Sequence, residues 1–337
     1  MPMRTLVAML LLCAMSWAAT AQAAGWDCPA PTGIAEPVRC GDATLAALEA
    51  QVTTLLTAAS GKLSVPGRTQ LRADQAEWRK YLAALCLGEL QPGAGGVVDC
   101  LKQEYDRRRV GLARAVETAA GLTLRRNERF AARSPRAAED AAHPVRTEIG
   151  WPEIDHATTP AQRRWNETVA KYAEQLATPL DPQDPDTDIE VDYRIESVGA
   201  DLIQTVFSRD LYIHGAAHGD DMTVSSLFLL PAARQLQAED LFDPAKNWQD
   251  ALAGLAYRAL AGAAHDGAWR LWPRRPAELI DLVTEPGRWL LNRDGLAVHF
   301  DAYDVAGYAA GTHDVVIPWT ALNTYLQTSL PLHLPPR

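Results

Sequence analysis

The sequence predicts two folded units in series. The first is an N-terminal all-α domain, a helical hairpin of three helices stapled by disulfides. The second is a C-terminal α+β domain with an antiparallel or mixed sheet. Three observations predict this. Cys28, Cys40, Cys86 and Cys100, the cysteines that follow an apparent leader, all lie in the first third of the chain. Apolar residues recur at helical spacing as far as Leu112, then alternate in short runs broken by Gly, Pro and Asp. Charge also divides the chain. Ala24 to Glu148 carries 17 Lys/Arg against 15 Asp/Glu, a net charge of +2, whereas Ile149 to Arg337 carries 14 against 27, a net charge of −13. The expected boundaries are a leader at 1–23, a helical domain at 24–120, a linker at 121–147 and the α+β domain at 148–330.

Met1 to Ala23 has the form of a secretory signal peptide. Arg4 supplies the positive start, Leu6 to Trp17 an apolar core too short to span a bilayer, and Ala21-Gln22-Ala23 a small-x-small cleavage site. The expected location is therefore periplasmic or secreted, with no membrane contact after cleavage. In such a compartment four cysteines read as two disulfides. Their gaps of 11, 45 and 13 residues lack the paired Cys-x-x-Cys knuckles of a zinc ribbon. Short loops favour Cys28–Cys40 with Cys86–Cys100. An antiparallel helix pair between Cys40 and Cys86 would also permit Cys40–Cys86.

Asp42 can cap a helix carrying Leu45, Leu48, Val52, Leu55 and Leu56 at spacings of three and four. Gly61 to Gly67 reads as a turn. A second helix runs from about Thr69 to Leu85 with Leu71, Gln75, Trp78, Leu82 and Leu85 on one stripe. Gly88 to Gly96 breaks it, and a third helix starts near Asp99 with Leu101, Tyr105, Arg109 and Leu112. Arg107, Arg108 and Arg109 read as a solvated helix face. Arg125 to Arg146 is rich in Ala and Arg and poor in large apolar residues, which reads as a linker.

In the second half, Trp165 to Leu176 is an amphipathic helix, and Pro179 to Asp188 a Pro/Asp loop. Ile189 to Ile195 alternates apolar and charged residues as a half-buried strand does. Leu202 to Asp210, Met222 to Leu230, Leu296 to Tyr303 and Val315 to Trp319 read as further strands, and Trp248 to Ala263 as a helix.

Two resemblances fit these halves. Cys28, Glu36 to Cys40, Asp42, Leu45, Leu48, Leu71, Gln75, Trp78, Cys86, Cys100-Leu101, Tyr105 and Arg109 resemble the LprI-type lysozyme-inhibitor domain of bacterial envelope proteins. An Arg-Asp pair common there is replaced by Ala84-Leu85. From about Glu148 to Leu326 the chain is similar to the C-terminal domain of RsiV-type anti-sigma factors. The residues that carry this are Trp151-Pro152-Glu153-Ile154, Asn166, the run Tyr212-Ile213-His214-Gly215-Ala216-Ala217-His218-Gly219, Asp240-Leu241-Phe242 and Gly295 to Trp319. Ala216 stands where that family has a glycine, so a backbone turn needing glycine would be altered there. The resemblance implies binding to lysozyme and no catalysis.

The chemistry-bearing residues point the same way. His214 and His218 are four apart, which raises a metal-dependent hydrolase as an alternative. However, Gly215 and Gly219 interrupt the helix that such a pair needs. The better reading is a tight loop whose histidines bond its backbone, with no metal. Asp301 and Asp304 offer a carboxylate pair, as in glycosidases, but on a turn they need not face each other. There is no Gly-x-Ser-x-Gly elbow, and Ser225-Ser226 sits in an apolar strand. Trp269, Trp272 and Trp289 beside Arg270, Arg274 and Arg275 suit either a protein or sugar contact or a buried core.

The expectation is a non-enzymatic envelope binding protein with no cofactor. Its acidic half repels nucleic acid and draws in a basic protein such as lysozyme. A peptidoglycan-binding or glycan-processing module is the alternative. The expected contact residues are Tyr212, His214, Gly215, His218, Asp220, Asp221, Asp301, Tyr303, Asp304 and Tyr308.

Overall fold

The computed structural model describes residues 42–87, 96–136, 144–179, 186–267 and 269–329. The signal peptide at 1–23, Cys28 and Cys40 lie outside the described residues.

Three helices come first: α1 (Ala43–Lys62), α2 (Val65–Leu82) and α3 (Gly96–Ala113). The Asp42 carboxylate accepts hydrogen bonds from the Thr44 and Leu45 amides, and it pairs with Lys102 at 2.9 Å. Capping thus also fastens the start of α1 to α3. Ser64 caps α2, and the Ser64 hydroxyl and amide both donate to Asp155 at 2.6 Å. After α2 a π turn, Ala83–Leu87, carries Cys86. Cys86 bonds to Cys100 with Cα atoms 5.7 Å apart, which excludes the Cys40–Cys86 pairing.

A seven-stranded mixed sheet follows, in the spatial order β1 (Val116–Ala119), β2 (Leu122–Arg133), β3 (Val145–Ile154), β4 (Thr187–Val198), β5 (Leu202–Ile213), β6 (Asp220–Leu229) and β7 (Arg234–Gln235). All pairings are antiparallel except β3 with β4, which α4 (Pro160–Leu176) bridges as a crossover. Buried Trp165, Val169 and Ala173 of α4 pack on Ile149, Val191 and Phe207, one face of the sheet. The helices α1 to α3 cover β2 and β3 on the opposite face, where Tyr81 meets Phe130 at 5.6 Å.

A second, antiparallel sheet orders β8 (Trp289–Leu291), β9 (Gly295–Phe300) and β10 (His313–Pro318) as β10-β9-β8. With α5 (Trp248–Asp266) it builds a core around Phe242, Trp248 and Trp289, and that core takes in Leu227 and Leu229 of β6. At Gly295 a Cβ would lie 2.1 Å from the Ile317 carbonyl oxygen. Gly295→Ala should therefore cost about 1–3 kcal/mol by forcing β9 and β10 apart. Thermal denaturation tests this, and an unchanged midpoint would refute the close approach.

Two expectations are corrected. Leu122–Arg133 is a strand inside the large sheet, not a linker, so the α+β architecture starts at Val116 rather than at residue 148. Nor is the Arg107–Arg109 run wholly solvated. Successive helical residues point about 100° apart, so one of three neighbours can face inward. That one is Arg108, whose side chain is 1% exposed. Its Nε donates to Gln75 at 2.8 Å and its Nη1 to Glu128. Arg126 donates to Glu128 at 2.9 Å and also pairs with Asp192. A buried ionic cluster therefore joins α2 and α3 to β2 and β4.

Candidate functional site

The β5–β6 hairpin loop and the loop after β9 come together at one corner of the molecule. The Thr223 amide of β6 donates to Asp301 at 2.8 Å, a contact between residues 78 apart in sequence. His218 stacks on Tyr308 with ring centroids 4.0 Å apart, and its Nε2 lies 3.1 Å from the Tyr303 hydroxyl. Trp272 stacks on Tyr303 at 6.1 Å, and its amide donates to the Val305 carbonyl. Trp272 is 48% exposed, Tyr303 50% and Tyr308 38%. These large rings face solvent side by side, which isolated surface aromatics do not do. Tyr303 also holds a left-handed backbone, φ 72°, which is costly for a bulky residue.

The expected contact residues divide into two groups. His218, Tyr303 and Tyr308 meet in the aromatic corner, exposed Asp220 and Asp221 open β6, and Tyr212 and Asp221 line a cleft with Glu190 and Asp210. Gly215 takes a left-handed φ of 83° and turns the loop. The others point inward. The His214 side chain is 6% exposed, with Nε2 3.1 Å from Asp188. It diverges from His218, so the two rings make no metal pair. Among the described residues no group of three or more His, Cys, Asp or Glu side chains is arranged to hold a metal ion.

Asp301 is 9% exposed and accepts from Thr223, while Asp304 accepts from the Asp301 amide at 2.7 Å and from Arg288 at 2.5 Å. Both carboxylates hold the loop's shape instead of presenting themselves to a partner or a glycosidic bond. Ser226 is fully buried and accepts from Gln235. Trp289 belongs to the core, where Nε1 donates to the Val283 carbonyl.

His299 braces the same loop between Asp301 at 3.1 Å and Asp314 at 2.7 Å. Burial disfavours its charged form, but the hydrogen bonds it donates to the two carboxylates, and their charges, outweigh this and raise it from 6.5 to about 9. A raised base stabilises the fold fully below its ordinary value, and that contribution disappears as pH rises through the folded one. Unfolding midpoints should therefore fall between pH 6.5 and about 9 in the native chain. His299→Gln should lose that slope, and an unchanged slope would contradict the assignment.

Sequence reasoning missed a row of carboxylates. Glu148 pairs in register with Glu190, Glu190 with Asp210, and Asp210 with Asp221. They lie across four neighbouring strands on the face that α3 only partly covers. A cleft of about 320 Å³ opens there, lined by Arg107, Glu148, Glu190, Asp210, Tyr212 and Asp221 among others. The signal was the acidic alternation of Asp188, Glu190 and Asp192, which reads equally as a solvated strand face.

Fold and site together define an α+β protein that presents an aromatic, acid-flanked surface. Residues 239–320 match the model of a family described as a protein of unknown function (DUF3298). This segment spans α5, the small sheet and the Tyr303–Tyr308 loop. Two solved structures are similar. A DUF3298 family member from Bacteroides fragilis NCTC 9343 is 16% identical over 63% of this chain and 96% of its own, with a TM-score of 0.42. A DUF3298 family protein from Pseudomonas aeruginosa PAO1 is 18% identical over 61% of this chain and 95% of its own, with a TM-score of 0.44. No curated protein matches the chain. No helix of the described residues is long and apolar enough to cross a membrane.

Proposed function

We propose that this chain is an exported, non-enzymatic binding protein of the cell envelope, periplasmic or secreted, that captures lysozyme or a related basic wall-cleaving enzyme. The observation that carries this reading is the meeting of the two loops in the exposed cluster of Trp272, Tyr303, Tyr308 and His218. Exposed Tyr and Trp supply large rigid contact area, and such residues dominate protein interfaces. The second half, net −13, steers a cationic partner toward that cluster. The leader-like start and the resemblance to envelope lysozyme-binding families support the same reading. Purified mature protein should inhibit a c-type lysozyme in a turbidity assay. Undiminished lysis at excess protein would defeat inhibition.

Rings placed side by side also suit stacking on pyranose faces, which favours a second reading as a peptidoglycan module. That reading requires co-sedimentation with purified sacculi in the absence of any protein partner. Protein left entirely in the supernatant would remove it.

A further inference from the structure

Between α3 and the large sheet, charged side chains alternate from the interior outward: Arg108, Glu128, Arg126, Asp192 and Arg114. Arg108 and Arg126 both pair with Glu128, and Arg126 and Arg114 both pair with Asp192. Three guanidiniums thus share two carboxylates. Asp74 feels the Arg108 charge but takes its hydrogen bond from Gln70. The inner end of the chain is left open. Arg108 is 1% exposed and sits against the rings of Trp78 at 5.7 Å and Phe130 at 5.5 Å. Its Nε and Nη1 donate to Gln75 and Glu128, while Nη2 has no hydrogen-bond partner. A buried charged donor without an acceptor is costly.

The whole chain of charges lines one cavity of about 280 Å³. Trp78, Val110, Phe130, Ile149 and Val191 give that cavity its apolar wall. Exposed Glu190 stands at its mouth with no ion pair among the described residues. The other carboxylates at the rim, Glu104, Glu148 and Asp106, are answered by Arg146 and Arg109. A cationic ligand would meet the surplus guanidinium, and a dianion would set its second charge against Glu190. One carboxylate on an apolar body suits both ends, because it brings a charged acceptor to Arg108 and carbon to the wall.

We propose that this cavity binds a small monocarboxylic acid with an apolar body. The carboxylate accepts from Arg108 Nη2, and the body lies against Val110, Ile149 and Val191. A free acid and the apolar last residue of a peptide share this chemistry. The cavity is separate from the aromatic corner, so the reading is independent of lysozyme binding.

Ligand-observed NMR titration of the full chain tests it with phenylacetate, phenylacetamide, phenylmalonate and N-acetyl-L-phenylalanine. Phenylacetate should bind. Phenylacetamide, without the charge, should bind about tenfold more weakly. Phenylmalonate, with a second charge, should also bind more weakly than phenylacetate. N-acetyl-phenylalanine separates the sources: affinity at or above that of phenylacetate supports a peptide end, and a marked loss supports the free acid. Arg108 itself clamps the fold, so the blocking substitution belongs at half-exposed Val110. Val110→Trp should cover the cavity and abolish binding while the unfolding midpoint stays near the native one. Glu190→Gln removes the charge at the mouth, and should tighten phenylacetate roughly twofold to fivefold and narrow the gap to phenylmalonate. No binding of phenylacetate, equal affinity for phenylacetamide, or full affinity in Val110→Trp would overturn the proposal.

Discussion

Replacing Glu128 by alanine is expected to lower the free energy of unfolding by about 3–5 kcal/mol. The side chain is 7% exposed and is shared by Arg108 and Arg126, which are 1% and 11% exposed. Removing it leaves two guanidiniums deep in the protein, and Arg108 then keeps only its bond to Gln75. The loss would take a large share of the roughly 5–15 kcal/mol that holds an ordinary domain together. The cluster ties α2 and α3 to the sheet, so helices and sheet should unfold in one transition in the native chain and separate in the variant. Burial opposes the Glu128 charge, but the two arginines overcome it and hold the carboxyl below its ordinary value of 4.5. A lowered acid stabilises above that ordinary value, and the contribution is lost as pH falls through the folded one. Acid unfolding should therefore be shallower in Glu128→Ala. Urea denaturation measures both effects, and a loss below about 1 kcal/mol with a single transition would contradict the clasp.

Tyr303→Gly is expected to separate binding from stability. Tyr303 is half-exposed in a left-handed conformation that glycine adopts freely. Relief of backbone strain should offset the lost ring contacts, leaving the unfolding free energy within about 1 kcal/mol of the native value. Affinity for a basic protein partner should fall by about 30-fold, the effect of losing an aromatic anchor worth roughly 2 kcal/mol. Tyr303→Phe keeps the stacking and loses only the bond to His218, so its affinity should lie between the two. If Tyr303→Gly bound its partner as tightly as the native chain, the aromatic corner would not be the contact surface.

Much of the fold was legible locally. The Asp42 cap, the Leu45–Val52 stripe and the alternation of Ile189, Val191 and Tyr193 each depend on neighbours within a few residues. So does the 13-residue gap that favours Cys86–Cys100. The features that escaped depend on distant partners. In β2 the inward positions are filled by Arg126 and Glu128, whose charges are answered by Arg108 of α3 and Asp192 of β4, so the strand lacks an apolar signature. The same pairing hides the burial of Arg108 in what reads as a basic run. At the site, Tyr303, Tyr308 and His218 could be singled out from their loops. Their meeting could not, because it rests on the bond between Thr223 and Asp301. That bond also turns Asp301 from an expected surface carboxylate into a brace. The carboxylate row is a product of strand register, which no single segment encodes.

The proposed function rests on capture of a basic wall-cleaving protein by the aromatic corner. Its most direct test is biolayer interferometry of the mature, oxidised chain and a Tyr303→Gly/Tyr308→Ala variant against a c-type lysozyme at low and high salt. The native chain should bind tightly and more weakly as salt rises, and the variant should lose most affinity at both salts. No binding by the native chain at either salt, or equal binding by the variant, would contradict it.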